Sequence, residues 1–445
     1  MKNKWLVTAV SLIFCSAGLS ADEVSTAVSR DYEQHLQALF VHFHQNPELS
    51  LVENKTAARL AQELSAVGFT VTENVGVDID GLPSTGIVAV MKNGEGPTVM
   101  MRADMDGLPV EEKSGLSYAS TATQISPITG NQVPVMHACG HDVHVTSLIG
   151  TARYMAANKD KWSGTLMLIG QPAEERIMGA KQMMDAKLWD TFGKPDYALA
   201  FHVTSNGELG YVNVLNGSPY AGSDSLDLVI HGIGAHGASP HAGKDPIVLG
   251  SQIVLALQTL VSRELSPRQP GVVTVGSFHS GTKHNIISDK AVLQLTVRNT
   301  NLETREILLN GIQRIAENLA RAAGLPEDKL PEISIVESTP PTVNNDELVN
   351  RLRQTWQQQM GEERVVSVPP TGMGAEDFPY FTNGYDIPAV YWSVGGTPTE
   401  EWQSAMEGKT TIPSHHSPFF KVSPDSVKVG TESTIHALLE LLKKP

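Results

Sequence analysis

Cysteine is almost absent from this chain: Cys15 and Cys139 are the two in 445 residues. A disulfide scaffold is therefore excluded. Positive charge is also scarce, with Lys+Arg 33 against Asp+Glu 48 and a formal net charge of −15. Such a surface disfavours the phosphate-neutralising contacts that nucleic-acid binding needs. Beyond the first residues no run reaches the roughly eighteen apolar residues of a membrane span. Internal repeats and low-complexity tracts are missing too. What is there is a globular composition, 41% apolar and 18% charged with Gly 38 and Pro 26, in a chain long enough to expect two domains. Histidine, at 15, is the residue to follow.

Lys2 and Lys4 precede an almost unbroken apolar stretch from Trp5 to Cys15, and Ser16, Ala17, Gly18, Ser20 and Ala21 follow. This is the layout of a secretory signal peptide, expected over 1–21 with cleavage after Ala21. The stretch is too short to stay as a membrane anchor. The expectation is an exported protein, periplasmic or secreted. Cys15 leaves with the signal, so Cys139 becomes a lone thiol that is buried, paired between chains or a ligand.

Four short apolar runs read as buried strands: Thr98–Ala103, Thr165–Gly170, Tyr197–Phe201 and Ala389–Val394. Each ends in polar or glycine residues: Asp104 and Asp106, then Glu174 and Glu175, then His202, then a Gly395–Gly396 turn expected to let backbone approach a substrate closely. A helical pattern runs from Val143 to about Asn158. Strands alternating with helices predict an α/β fold with a mostly parallel central sheet, whose ligand crevice lies outside the strands' carboxyl ends. The middle of the chain reads as β-α-β-β-α-β, the ferredoxin-like split pattern. Its first helix opens with Asp245 as N-cap and Pro246 at the first helical position. The expected organisation is a catalytic domain in two parts, 22–218 and 339–445, interrupted by an inserted lid or dimerisation domain at 219–338. Hinges are expected near 217–222 and 337–342.

Cys139 and His141 are two residues apart, which aligns them if the segment is extended. Thiolate and imidazole suit zinc, manganese or cobalt-type ions. Glu174 and Glu175 at a strand end allow one carboxylate to ligate while the other holds or deprotonates a water. His137 and His144 read as supporting or surface groups. Each feature taken singly has a plainer explanation: a capping histidine, an acidic turn, a core His202, a loop at His415–His416. All of them meeting at one sheet edge is much harder to explain that way.

The motifs are long enough to be recognisable. MRADMDGLPV (101–110), HACGHDVHV (137–145), QPAEE (171–175), HGIGAHGASPHAGKDP (231–246), GSFHSGTKHNIISDKA (276–291), GAEDFPYF (374–381) and HSPFF (416–420) together resemble the M20 metallopeptidase clan, amidohydrolase branch. That branch holds hippurate hydrolases, indoleacetyl-amino acid hydrolases and N-acetyl-diaminopimelate deacetylases. The resemblance implies two divalent metal ions, manganese, zinc, cobalt or nickel. Their ligands would be Cys139 (bridging), His141, Glu175, His202 and His416, the last preferred over His415. It implies Glu174 as general base, and Asp104 and Asp106 as groups that orient ligands. His236 matches a histidine that stabilises the oxyanion, within its own chain or across a homodimer formed through the inserted domain. Asn285 and Arg298 match substrate contacts, and Gly395 stands beside them. The branch usually shows Asn-Val-Ile-Pro where this chain has Asn285-Ile286-Ile287-Ser288, so the turn loses its proline and keeps its asparagine.

The implied reaction is hydrolysis of the linear amide of an N-acyl amino acid or short peptide. A dipeptidase or carboxypeptidase has the same chemistry at the metals. A two-lobed exported solute-binding protein fits the size, but it needs no general base beside a metal pair.

Overall fold

The computed structural model describes residues 19–444. The expected signal peptide lies almost wholly outside them.

The four anticipated strands are the centre of an eight-stranded sheet. In sheet order they are Gly164–Gln171, Thr98–Asp104, Tyr197–Glu208 and Ala389–Thr397, and all three contacts between them are parallel. Antiparallel pairing appears only toward the edges, where Ile87–Asn93 joins Gly164–Gln171 and Val212–Asn213 joins Ala389–Thr397. Apolar side chains cover both faces, as central parallel strands require. One core holds Met101, Leu168, Phe201 and Trp392 and the other Met100, Met167, Ala200 and Tyr391. The fold is α/β with a mostly parallel sheet, as the alternation of strands and helices predicted.

Several boundaries differ from the sequence reading. The helix expected from Val143 starts at His141 and is buried nearly all round. The strand expected to end at His202 continues to Glu208, so that histidine sits mid-strand. It lies level with Asp104, because Arg102 pairs with Ala200 two residues earlier. Gly395–Gly396 is no turn but part of the strand Ala389–Thr397. A Cβ on Gly395 would lie 1.8 Å from the Glu208 carbonyl oxygen, and one on Gly396 2.5 Å from Val422 Cγ1. Strand packing thus requires glycine at both positions, and Gly395 also lines a cavity at this edge of the sheet.

A second sheet, ordered Gly271–Ser280, Lys290–Asn299, Gly222–His231, Glu332–Thr339, is antiparallel throughout. Helices Pro246–Thr259 and Leu302–Ala322 cover one face and enclose a separate core with Leu228, Ile253, Leu293 and Ile312. Asp245 caps the first helix, its carboxylate accepting from Ile247 N and Val248 N. The connectors to the large sheet, Gly217–Tyr220 and Thr342–Asn344, pair with each other. With its π-helical end the segment Pro246–Glu264 is long and apolar enough to cross a membrane, which the sequence reading did not anticipate. Leu249, Ile253, Leu257 and Leu260 are nonetheless buried in the second core.

Candidate metal centre

The donor-bearing segments converge where the central strands end. Asp104 is the last residue of its strand, and Asp106 follows two residues on. Gly140 caps the helix that His141 opens, with φ +86°, and a Cβ there would meet Val203 Cγ1 at 2.4 Å. Cys139 and His141 therefore face one site through a left-handed glycine and a helix start, not through the extended segment the spacing suggested. Beyond Gln171 the chain turns sharply: Ala173 and Ile177 have φ +48° and +53° on either side of the short turn Glu174–Arg176. His416 also takes a left-handed conformation (φ +65°), and its N–H donates to Ala138 O at 2.9 Å.

Two overlapping donor groups result. Cys139, His141 and His202 form one, and Cys139, Glu175 and His416 the other; within each, the donor atoms lie within 4.8 Å of one another. They share Cys139. Its sulfur is 3.4 Å from His202 Nε2, and His416 Nε2 is 3.3 Å from Glu175 Oε2. His202 Nδ1–H donates to Val203 O, which leaves Nε2 bare toward the sulfur. Glu174 joins His141 and Glu175 in a third group, with its Oε2 3.8 Å from His141 Nε2. His415 is closer than expected, its Nδ1 3.6 Å from the same sulfur.

These donors fit a pair of divalent ions. Both ring nitrogens of His141 and Glu175 Oε1 are buried without a hydrogen-bond partner among the described residues, a costly arrangement unless something else satisfies them. Sulfur, imidazole and carboxylate together make the donor set of zinc and related ions. The protonation tendencies agree. Burial and the neighbouring His144 and His415 hold His202 well below the ordinary imidazole value, so it is a neutral donor. Burial and the Glu376, Glu175 and Asp377 carboxylates push Glu174 well above the usual range. Burial and the same kind of negative surroundings raise the Cys139 thiol. Burial opposes the charging of His141, but Asp104, Asp106 and Glu175 outweigh it and lift the imidazole to about 10. The site carries excess negative charge of the kind bound cations neutralise.

Behind the donors lies a buried charged layer that sequence reasoning largely missed. Arg102 is 1% exposed and pairs with Asp104 (2.6 Å), Glu376 (2.7 Å) and Asp377 (3.3 Å) while donating to Gln171. A lone arginine inside the apolar run TVMMRA was its one sequence signal. Asp104 accepts from His144 Nδ1–H, and His144 Nε2 accepts from Val203 N at 2.9 Å. His144 is thus a buried orienting group, as is His44, bonded to Asp142 (2.7 Å) and Glu112 (3.1 Å). His137 is buried with neither ring nitrogen bonded among the described residues, and burial lowers it to about 4.

Two carboxylates hold the loop that carries Glu174 and Glu175 by its backbone, and a third holds the helix Gly179–Asp185 that follows it. Glu53 Oε1 accepts from Ala173 N (2.8 Å). Asp106 accepts from Glu174 N (3.2 Å) and Glu175 N (3.1 Å). Asp377 accepts from Ala180 N (2.9 Å). Nothing in the sequence singled out Glu53.

The expected substrate contacts lie elsewhere. His236 and Asn285 are neighbours in a small ribbon of the inserted segment, where Gly237 N donates to Asn285 O at 2.8 Å. The His236 imidazole is exposed and accepts from Ala238 N, and no hydrogen bond or ion pair among the described residues links it to the donor groups. Arg298 lies on the sheet face away from the two helices, half-buried, with Nε donating to Thr296 Oγ1. It has no carboxylate partner among the described residues, and burial lowers its pKa.

Comparison with known proteins follows the same lines. The profile of Peptidase family M20/M25/M40 matches residues 100–439. A thermostable carboxypeptidase 2 of Saccharolobus solfataricus is 35% identical over 401 residues, covering 89% of this chain and 92% of that protein. A hippurate hydrolase of Campylobacter jejuni is 35% identical over 354 residues, 79% and 86% of the two chains. Among solved structures, a Bacillus subtilis protein described as a dinuclear metal-binding peptidase of the M20 family superposes with a TM-score of 0.73 at 25% identity, over 93% and 99% of the two chains. On the match and on the donor set, this chain belongs to peptidase family M20/M25/M40 and is a hydrolase of amide bonds.

Proposed function

We propose that the protein is an exported, metal-dependent amidohydrolase that cleaves N-acyl amino acids to a carboxylic acid and an amino acid. The observation that carries this reading is the pair of donor groups sharing Cys139 with the Glu174 carboxylate beside them. Cys139, His141, Glu175, His202 and His416 would hold two ions. Bound there, the ions would polarise the scissile carbonyl and acidify a water. Glu174 takes that water's proton and delivers it to the leaving amine, which cannot depart as an anion. The backbone clasps from Glu53 and Asp106 fix where its carboxylate stands. His236, with Asn285 beside it, supplies a donor to the developing oxyanion, and Arg298 receives the amino acid's carboxylate, for which a guanidinium fork is suited.

Removal of metal by a chelator should abolish hydrolysis of N-acyl amino acids, and manganese, zinc or cobalt should restore it. Glu174→Gln should lose at least about 10³-fold in kcat while still binding metal. Undiminished activity in that variant would overturn the assignment.

A second reading, a carboxypeptidase or dipeptidase, is favoured by the name of the Saccharolobus relative. A panel of N-acyl amino acids and dipeptides separates the two. Export is supported by the basic, apolar and small-residue order of residues 1–21. A homodimer through the inserted domain is supported by the apolar side chains that Pro246–Glu264 leaves exposed, among them Ile247, Val248 and Leu255. In such a dimer His236 would act on the partner's site.

A further inference from the structure

We propose that the acyl group of the substrate is bulky, apolar and uncharged, an aromatic or medium-chain acyl rather than acetyl or succinyl, and that it occupies a cavity beside the donor set. The proposal rests on the N-acyl amino acid reading above.

The cavity has a volume of about 530 Å³, well inside the range of about 300–1,000 Å³ typical of small-molecule sites. Tyr211, Leu215, Tyr220, Val366, Val368 and Trp402 line it. It opens at the carboxyl edge of the large sheet. Thr204 in its wall is two residues beyond His202, and the Tyr220 ring, also in its wall, is 6.3 Å from the His202 ring. One side chain therefore separates the cavity from the donors. An acetyl group would leave most of this space unfilled, and apolar walls gain only from apolar contact. Among the described residues no Lys, Arg or His lines the cavity, and the one charged lining residue is Glu208. An acyl group ending in a carboxylate would meet like charge and no counter-ion.

The substrate's direction follows from Arg298. Arg298 pairs across the small sheet with Ser223, and Ser223 pairs with Thr339. The Thr339 hydroxyl donates to Glu376 O at 2.9 Å. That row places Arg298 at the end of the small sheet adjoining the large one. With no carboxylate partner among the described residues, it is suited to take the carboxylate of the amino acid. A molecule with that end at Arg298 and its carbonyl at the donor set would have the apolar cavity beside the donors to receive its acyl group.

The test varies one end of the substrate at a time. In the metal-loaded enzyme, N-acetyl-, N-butanoyl-, N-octanoyl-, N-indoleacetyl- and N-succinyl-alanine are compared, then N-octanoyl conjugates of glycine, alanine and phenylalanine. Each buried methylene is worth about fourfold, so the six that separate octanoyl from acetyl should raise kcat/KM by about 10³-fold. Succinyl should fall below butanoyl. Trp402→Ala should reduce the octanoyl-to-acetyl ratio by about tenfold, with the ratio as the readout. A flat acyl series, a preference for acetyl or succinyl, or selectivity that follows the amino acid overturns the proposal. Binding of N-octanoyl- and N-acetyl-alanine to the metal-free protein, followed by calorimetry, keeps the two levels apart. Tighter octanoyl binding without turnover of any amide would sink the hydrolase reading and leave the cavity assignment standing; equal binding with turnover would do the reverse.

Discussion

Glu53 offers the sharpest test of how the site is built. It is fully buried, and its carboxyl accepts from Ala173 N (2.8 Å), Leu51 N (3.1 Å) and the Thr85 hydroxyl (2.7 Å). Burial first, then the nearby Asp106 carboxylate, pushes its pKa to about 8 despite those donors. A carboxyl whose folded value is raised gives the folded state its full proton-linked stabilisation below the ordinary range, and that stabilisation is lost as pH rises toward about 8. From pH 4.5 to 8 the full shift corresponds to about 5 kcal/mol. Glu53→Gln keeps an acceptor for Ala173 N and Leu51 N and removes the titration. Urea unfolding of the metal-free wild type and variant across this window should therefore diverge. The variant should gain at least about 2 kcal/mol on the wild type by pH 8. Glu53→Ala should instead leave three buried donors unpaired, at about 1–3 kcal/mol each, and should lower kcat/KM because Ala173 no longer anchors the Glu174 loop. Parallel pH curves for wild type and Glu53→Gln would refute the electrostatic argument. Full kcat/KM in a folded Glu53→Ala would refute the clasp.

Arg102→Met should destabilise the fold by about 3–5 kcal/mol in chemical denaturation, because Asp104, Glu376 and Asp377 lose their shared cation in the interior. Metal loading should raise the melting temperature, since an ion at a thousand times its Kd adds about 4 kcal/mol; calorimetry with and without chelator reads this, and Cys139→Ala should shrink the gain. Leu255→Glu, on the exposed helix face, should convert a dimer to a monomer in light scattering, and a wild type already monomeric would end that proposal. Gly395→Ala should lower stability by several kcal/mol, as its Cβ would meet the Glu208 carbonyl at 1.8 Å.

Much of the fold and the site is legible in the sequence. Four apolar runs announced four strands, and the residues that followed them announced an active edge, because a parallel sheet leaves its ligand crevice there. The capping pair Asp245–Pro246 placed a helix start to the residue. The spacing of Cys139 and His141 suggested an extended segment, whereas a left-handed Gly140 and a helix start deliver both donors. The glycine pair at 395–396 suggested a turn, and a strand passing close to Glu208 and Val422 required it instead.

Local chemistry alone thus determined the strands, the inserted split pattern and the donor types, since each depends on side-chain periodicity or on short spacings. Only the tertiary structure decided which charges meet. Arg102 and Glu376 are 274 residues apart and form one ion pair, and Glu53 holds the amide of Ala173 across 120 residues. Such pairs leave no periodic trace, because burial forces any interior charge to find a partner but does not dictate where along the chain that partner lies. The same holds for the cavity, whose walls come from five separate stretches between Thr204 and Trp402 and whose shape exists only once the sheet has brought them together.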